Sequence, residues 1–200
     1  MIGRIFAVLN AAVFIVGLLL GLVFLGAVTS HRARAEASSW PGPYAVDLVE
    51  VSDGDTVVVR FGEGPCERGP CIGSVWSIRI AHVDTPEKKL CKGWKTLGER
   101  LPSMTAAQRI KVQSCAWCPA EKQAAAEAKV YVTKLLASRA LRASDLRRDP
   151  YWGRLVGVLE VDAGGEWRAL GDILIEVGLA TPYDPGGGRS FAKTKPWCGE

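Results

Sequence analysis

Histidine is nearly absent from the chain: His31 and His82 are the only two in 200 residues. That weighs against a mixed Cys/His zinc centre, because no imidazole stands beside the thiols. Net charge is scarce as well. The total is +4, and Arg4, Arg32, Arg34 and Glu36 supply two of those charges, so the chain after residue 40 carries only +2. A surface so close to neutral does not coat nucleic acid by charge alone, and any nucleic-acid role has to come from a local site. No segment repeats, which excludes solenoid and propeller arrays.

Charge is missing altogether between Ile5 and Val28, a run whose only interruptions are Asn10 and three glycines. It is long enough to cross a bilayer, which takes about 20 residues, and it has no polar face for a globular surface. Residues 1–30 are therefore expected to form an N-terminal transmembrane helix. A cleaved signal peptide is the alternative, with Ala35-Glu36-Ala37 as its Ala-x-Ala site. The run exceeds the roughly 7–15 residues of a signal core, which favours the anchor. The expected location is the inner (cytoplasmic) membrane, single-pass, with the domain outside the cytoplasm in the periplasm or at the cell surface; secretion after cleavage is the alternative. Arg4 lies on one side of the run and Arg32 and Arg34 on the other, so the positive-inside rule hardly orients it.

Cysteine is absent before residue 66 and then occurs six times: Cys66, Cys71, Cys91, Cys115, Cys118 and Cys198. An even number behind an export signal reads as disulfides in an oxidising compartment. Two alternatives stay open: a zinc site joining Cys115-x-x-Cys118 to Cys66-x4-Cys71, and a redox Cys-x-x-Cys, although the latter normally opens a helix in a βαβ context. Cys118 opens the main helix and Cys198 lies in a tail that would otherwise fray. The expected bridges are thus Cys118–Cys198, Cys66–Cys71 and Cys91–Cys115, among 15 possible connectivities.

Residues 31–43 read as a tether. "YAVDLVEV" (44–51) and "TVVVRF" (56–61) are strands flanking the turn cluster "SDGD". "VWSIRIAHV" (75–83) is a third strand, within which His82 is expected to pack. Residues 88–117 have no clear period and are expected to form an inserted loop. "PAEKQAAAEAKVYVTKLLAS" (119–138) is helical, with Pro119 suited to a first turn. "LRASDL" and "GRLVGVLEV" (153–161) are strands, and 168–180 is a short amphipathic helix. Residues 185–200 are a C-terminal tail. Three strands, one helix, two strands and a last helix do not suit a parallel βαβ sheet. They predict a mainly β fold: a five-stranded antiparallel Greek-key barrel of the OB-fold kind with two or three helices.

Two acidic turns end strands: "SDGDT" (52–56) and "VDTPE" (83–87). If those strands are neighbours, Asp55 and Asp84 converge, and two carboxylates with a carbonyl suit a hard cation such as calcium or magnesium. Taken alone, either motif is an ordinary turn. Arg79 adds weight, because a cation among apolar strand residues needs an anionic partner. That partner is either Asp84, in a structural pair, or a phosphate gripped between Arg79 and Arg154. In the second case the guanidiniums would stabilise charge developing on phosphorus, and Glu87 would deprotonate or position the attacking water.

"DGDT" (53–56), "IRIAHVDTPE" (78–87) and "YWGRLVGVL" (151–159), in that order, resemble the staphylococcal nuclease-like (thermonuclease) domain family, over about residues 44–184. The resemblance implies an OB-fold barrel that cleaves phosphodiesters of DNA and RNA with Ca2+. It implies calcium ligands at Asp55, Asp84 and the Thr85 carbonyl, a general base at Glu87, and phosphate binding by Arg79 and Arg154. Trp152, preceded by Tyr151, stands where the family usually has a tyrosine, and Tyr183 falls near a substrate-contacting tyrosine; all three are substrate-binding candidates. The chain is expected to be a monomer with DNA and RNA as substrates, the membrane as a contact through its N-terminal helix, and no protein partner. The rival expectation is a catalytically inert OB-fold module that binds nucleic acid or protein at the cell envelope.

Overall fold

Two valine-rich runs build the first hairpin, with Val57, Val59 and Phe61 buried at alternate positions of the second. In the computed structural model, β1 (Ser39–Trp40) precedes β2 (Tyr44–Asp53) and β3 (Thr56–Phe61). Asp53 stands opposite Thr56, so Gly54 and Asp55 form the two-residue connection. β4 (Val75–Ile80) pairs with β3, and β5 (Val83–Asp84) follows after a turn. β6 (Leu141–Arg148), β7 (Leu155–Asp162) and β8 (Trp167–Ala169) form a meander, and β9 (Thr181–Pro182) pairs with β5. The structure describes residues 39–66, 69–149, 153–183 and 195–199. Trp40–Glu200 forms one unit; the other, Met1–Ser39, lies almost wholly outside the described residues, as does the expected transmembrane helix in residues 1–30. Among the described residues no helix is long and apolar enough to cross a membrane.

Five strands close a barrel. β2–β3, β3–β4, β2–β6 and β6–β7 are antiparallel, and the ring is completed by β4 and β7 running parallel. This mixed barrel differs from the fully antiparallel one expected. The chain leaves β4, runs through the main helix and β6, and re-enters on the far side of β4, a crossover that returns β7 in the same direction. Inside sit Val57, Val59, Phe61, Ile78, Leu155, Leu159 and Val161, all fully buried. Each such side chain contributes roughly 1.5–3 kcal/mol, against about 0–1 for an exposed ion pair. Changes to exposed charges therefore leave the barrel standing. Trp40 is also buried in this core, so the packed chain starts before Tyr44.

Helices α1 (Leu97–Arg100) and α2 (Ala106–Gln113) lie in the segment expected to be a loop. The signal for α2 is a capping box: the Gln108 N–H donates to Thr105 Oγ1 (3.3 Å), and the Thr105 N–H donates to Gln108 Oε1 (2.8 Å). The main helix, α3 (Pro119–Leu136), buries Glu121, Ala125, Ala128, Val132 and Leu136, one stripe at steps of three and four. α4 (Leu170–Glu176) starts two residues later than expected, because Trp167–Ala169 hydrogen-bonds to β7 as β8.

Disulfides join Cys66–Cys71, Cys91–Cys115 and Cys118–Cys198, with Cα separations of 4.7, 5.0 and 5.7 Å. Cys115 and Cys118 thus belong to different bridges and no free cysteine remains, which removes the zinc and redox alternatives. His82 is not a packed strand residue: β4 ends at Ile80, and His82 sits exposed in the following turn with φ +63°.

Candidate active site

The two acidic turns meet because the residue between the aspartates is glycine. A Cβ on Gly54 would stand 3.0 Å from the Ala128 Cβ and 3.1 Å from both Cβ and Cγ2 of Thr85. The hairpin end is therefore pressed between α3 and the Asp84-Thr85 turn. Gly54→Ala is expected to lower stability by about 1–3 kcal/mol through overpacking. Thermal denaturation of the variant checks it, and an unchanged midpoint shows that the turn has room to spare.

β3 and β4 bring Arg79 opposite Thr56, next to Asp55. Arg79 Nη2 stands 3.0 Å from Asp55 Oδ2 and 3.2 Å from Asp84 Oδ1, and Nη1 donates to Asp55 Oδ1 at 3.3 Å. One guanidinium thus bridges both carboxylates, so that the structural Arg79–Asp84 pair, one of the two partnerships open to Arg79 from the sequence, is here a triad with Asp55. The Thr56 hydroxyl also donates to Asp55 Oδ1 (3.0 Å), and the Asp55 carbonyl accepts from the Ile80 N–H (2.8 Å). Asp84 is held from behind by β9, opposite Thr181.

Electrostatics sharpen the picture. Burial pushes the Asp55 carboxyl up to about 6; Arg79 opposes this, Asp53 and Asp84 add to it, and the Thr56 hydrogen bond opposes it. Burial likewise raises Glu87 to about 7, with Lys195 and Arg79 pulling down and Asp84 and Asp55 pushing up. Burial works against the Arg79 charge, but the carboxylates of Asp55, Asp84, Glu87 and Asp53 outweigh it and raise Arg79 above its ordinary value. Glu87 is therefore within electrostatic reach of the whole triad. Carboxyls held this far from their usual range are frequent where chemistry is done, and one near 7 accepts a proton from water more readily than one near 4.

Arg154 lies just before β7. Ile78 faces Leu155 across the parallel pair and both point into the core. Alternation then turns Arg79 outward in β4, and Arg154 lies one residue before the start of β7. Arg154 Nε donates to Asp149 Oδ2 at 3.0 Å. Tyr183 is about half exposed beside β9, its N–H donating to the His82 carbonyl. Tyr151 and Trp152 lie outside the described residues.

Oxygen donors at the site comprise the Asp55 and Asp84 carboxylates and the buried Thr85, whose carbonyl belongs to the same turn. Asp53 adds one more: its Oδ1 is buried without a hydrogen-bond partner, while Oδ2 meets Lys88 Nζ at 3.4 Å. The charge of Asp53 reaches Asp55, and a buried carboxylate oxygen without a partner is a donor of the kind that a hard cation takes. Among the described residues no three His, Cys, Asp or Glu side chains converge as a metal cluster; Arg79 stands between the two aspartates.

Two residues that sequence reasoning passed over complete the surroundings. Glu121 is fully buried, and its Oε1 accepts from the Glu87 N–H (3.2 Å) and from Lys195 Nζ (2.8 Å). Their only sequence signal is weak: an acid in the first turn of a helix and a lysine three residues before the last cysteine. The chain matches no protein-family model and no curated protein.

Proposed function

We propose that this chain is an extracytoplasmic, calcium-dependent nuclease of the thermonuclease kind, built on an OB-fold barrel and hydrolysing phosphodiesters of DNA and RNA. The observation that carries the proposal is the Arg79 guanidinium bridging Asp55 and Asp84, with Glu87 electrostatically coupled to all three. A merely structural ion pair needs one acid; this one has two, and a third with a raised pKa beside it. In the proposed reaction Arg79 and Arg154 bind the non-bridging phosphate oxygens and stabilise the charge that develops on them. Glu87 takes the proton of the attacking water. Asp55, Asp84 and the Thr85 carbonyl would hold calcium. A bound cation supplies Lewis-acid polarisation of a phosphate oxygen. Tyr183 offers an exposed ring on which a base can stack. Three disulfides fit an oxidising compartment, and the proposed location is outside the cytoplasmic membrane, held by the Ile5–Val28 segment.

The test is cleavage of plasmid DNA and of RNA by the purified full chain. Chelation is expected to abolish cleavage and added calcium to restore it. Undiminished cleavage in excess chelator overturns the metal assignment. No cleavage under any condition, with retained binding of the nucleic acid, favours the inert binding module.

A further inference from the structure

Glu121 lies at a junction. Its Oε1 accepts from the Glu87 N–H and from Lys195 Nζ, and its Oε2 accepts from the Trp117 N–H (2.7 Å). Lys195 Nζ also donates to the Gln113 carbonyl at 3.1 Å. Four separate segments, namely the turn after β5, the end of α2, the entry to α3 and the C-terminal tail, are tied through one buried ion pair. Glu121 is fully buried and the Lys195 side chain is 5 % exposed. Such a pair is weak support for stability, because desolvating both charges offsets much of their attraction, and apolar replacements are often neutral or better. What this one does specifically is hold the backbone of Glu87. The covalent framework points at the same joint: Cys118 lies three residues before Glu121 and Cys198 three residues after Lys195, and they are bonded to each other across 80 residues.

We propose that Glu121 is a positioning residue for Glu87, that Lys195 orients Glu121 for that task, and that the Cys118–Cys198 bridge holds Lys195 in place. The C-terminal tail is then a working part of the site. The kinetic side of this inference rests on the nuclease reading; its structural side does not. The groups facing Glu87 are Asp84, Asp55 and Arg79 from the triad and Lys195 from the tail. Lys195 is too buried to meet substrate; it orients Glu121 and its charge also reaches Glu87 directly, an effect that both double variants below remove alike, so that their difference reads the hydrogen bond.

Two double variants of the full chain separate this role from plain packing. Glu121→Leu with Lys195→Met removes the acceptor without leaving a buried unpaired charge. Glu121→Gln with Lys195→Met is equally free of charge but keeps an acceptor for the Glu87 N–H. The first is expected to lose 10–100-fold in kcat with KM unchanged, the scale on which misplaced catalytic groups act. Its Glu87 amide is expected to exchange hydrogen at least tenfold faster. The second is expected to recover most of both. Unaltered kcat and Glu87 exchange in the first variant, or equal losses in both, overturns the proposal. If the leucine variant does not fold, Cys118→Ser with Cys198→Ser carries the test: faster exchange at Glu87 supports the proposal, and unchanged exchange refutes it. If the parent cleaves no nucleic acid, the nuclease reading fails, while the Glu87 exchange comparison still decides this inference.

Discussion

Glu87→Gln is expected to slow phosphodiester cleavage by about 10²–10⁴-fold, the range for losing a general base, while the protein stays folded and still binds nucleotide and calcium. The folding expectation follows from the contacts. Glu87 is tied to Glu121 through its backbone N–H, which the substitution leaves alone. Its carboxyl is half-buried and raised by burial, so an uncharged amide costs the fold little there. Steady-state cleavage across a calcium titration, with circular dichroism as the folding control, makes the measurement. Arg154→Ala belongs in the same series and is expected to lower turnover through lost charge stabilisation. If folded Glu87→Gln and Arg154→Ala both cleave at the parent rate, the catalytic assignment is wrong and inert binding becomes the better reading.

Arg79→Ala is expected to be the most damaging substitution at the site, because it affects stability as well as turnover. Asp55 is 4 % exposed and depends on Arg79 for compensation. Removing one partner of a buried pair costs about 3–5 kcal/mol. The Arg79 side chain is 25 % exposed, and solvent screening brings the expected loss to roughly 2–3 kcal/mol. Adding Asp55→Asn to Arg79→Ala removes the stranded charge and is expected to restore most of the stability but none of the turnover. Denaturant unfolding of the single and double variants checks the first part, and cleavage rates the second. Additive losses in the double variant would mean that the ion pair does not support the fold.

Much of this arrangement was legible in the sequence, for local reasons. The hairpin turns where Asp and Gly interrupt two valine-rich runs, and β3 matches its expected span of Thr56–Phe61. Charges stood out in residues 78–87 because Arg79 lies among apolar strand residues and Asp84 and Glu87 sit on the turn that ends the strand. The main helix was legible from its alanines and from Pro119 at the first turn. The cysteine partners followed from their positions in a loop, a helix entry and a tail. Apart from Cys118–Cys198, which closes across 80 residues, the information lies within a few residues, where backbone propensity and the period of burial operate.

What only the tertiary structure decided are the long-range pairings. The direction of β7 beside β4 depends on the path of the intervening chain, which no local propensity encodes. The turn at His82 interrupts what reads as one continuous strand, because Val83–Asp84 pairs with Thr181–Pro182, about a hundred residues later in the chain. α2 is hard to see in the sequence because its box of Thr105 and Gln108 is a short signal inside an aperiodic stretch. Glu121 and Lys195 are 74 residues apart. Separately they are a helix-entry acid and a tail lysine, both usually solvated. They become a buried pair at the candidate site only after the barrel has formed, α3 has packed across Gly54, and the tail has folded back to Cys118. Burial changes the meaning of a charge, and burial is a property of the assembled fold rather than of the residues taken one by one.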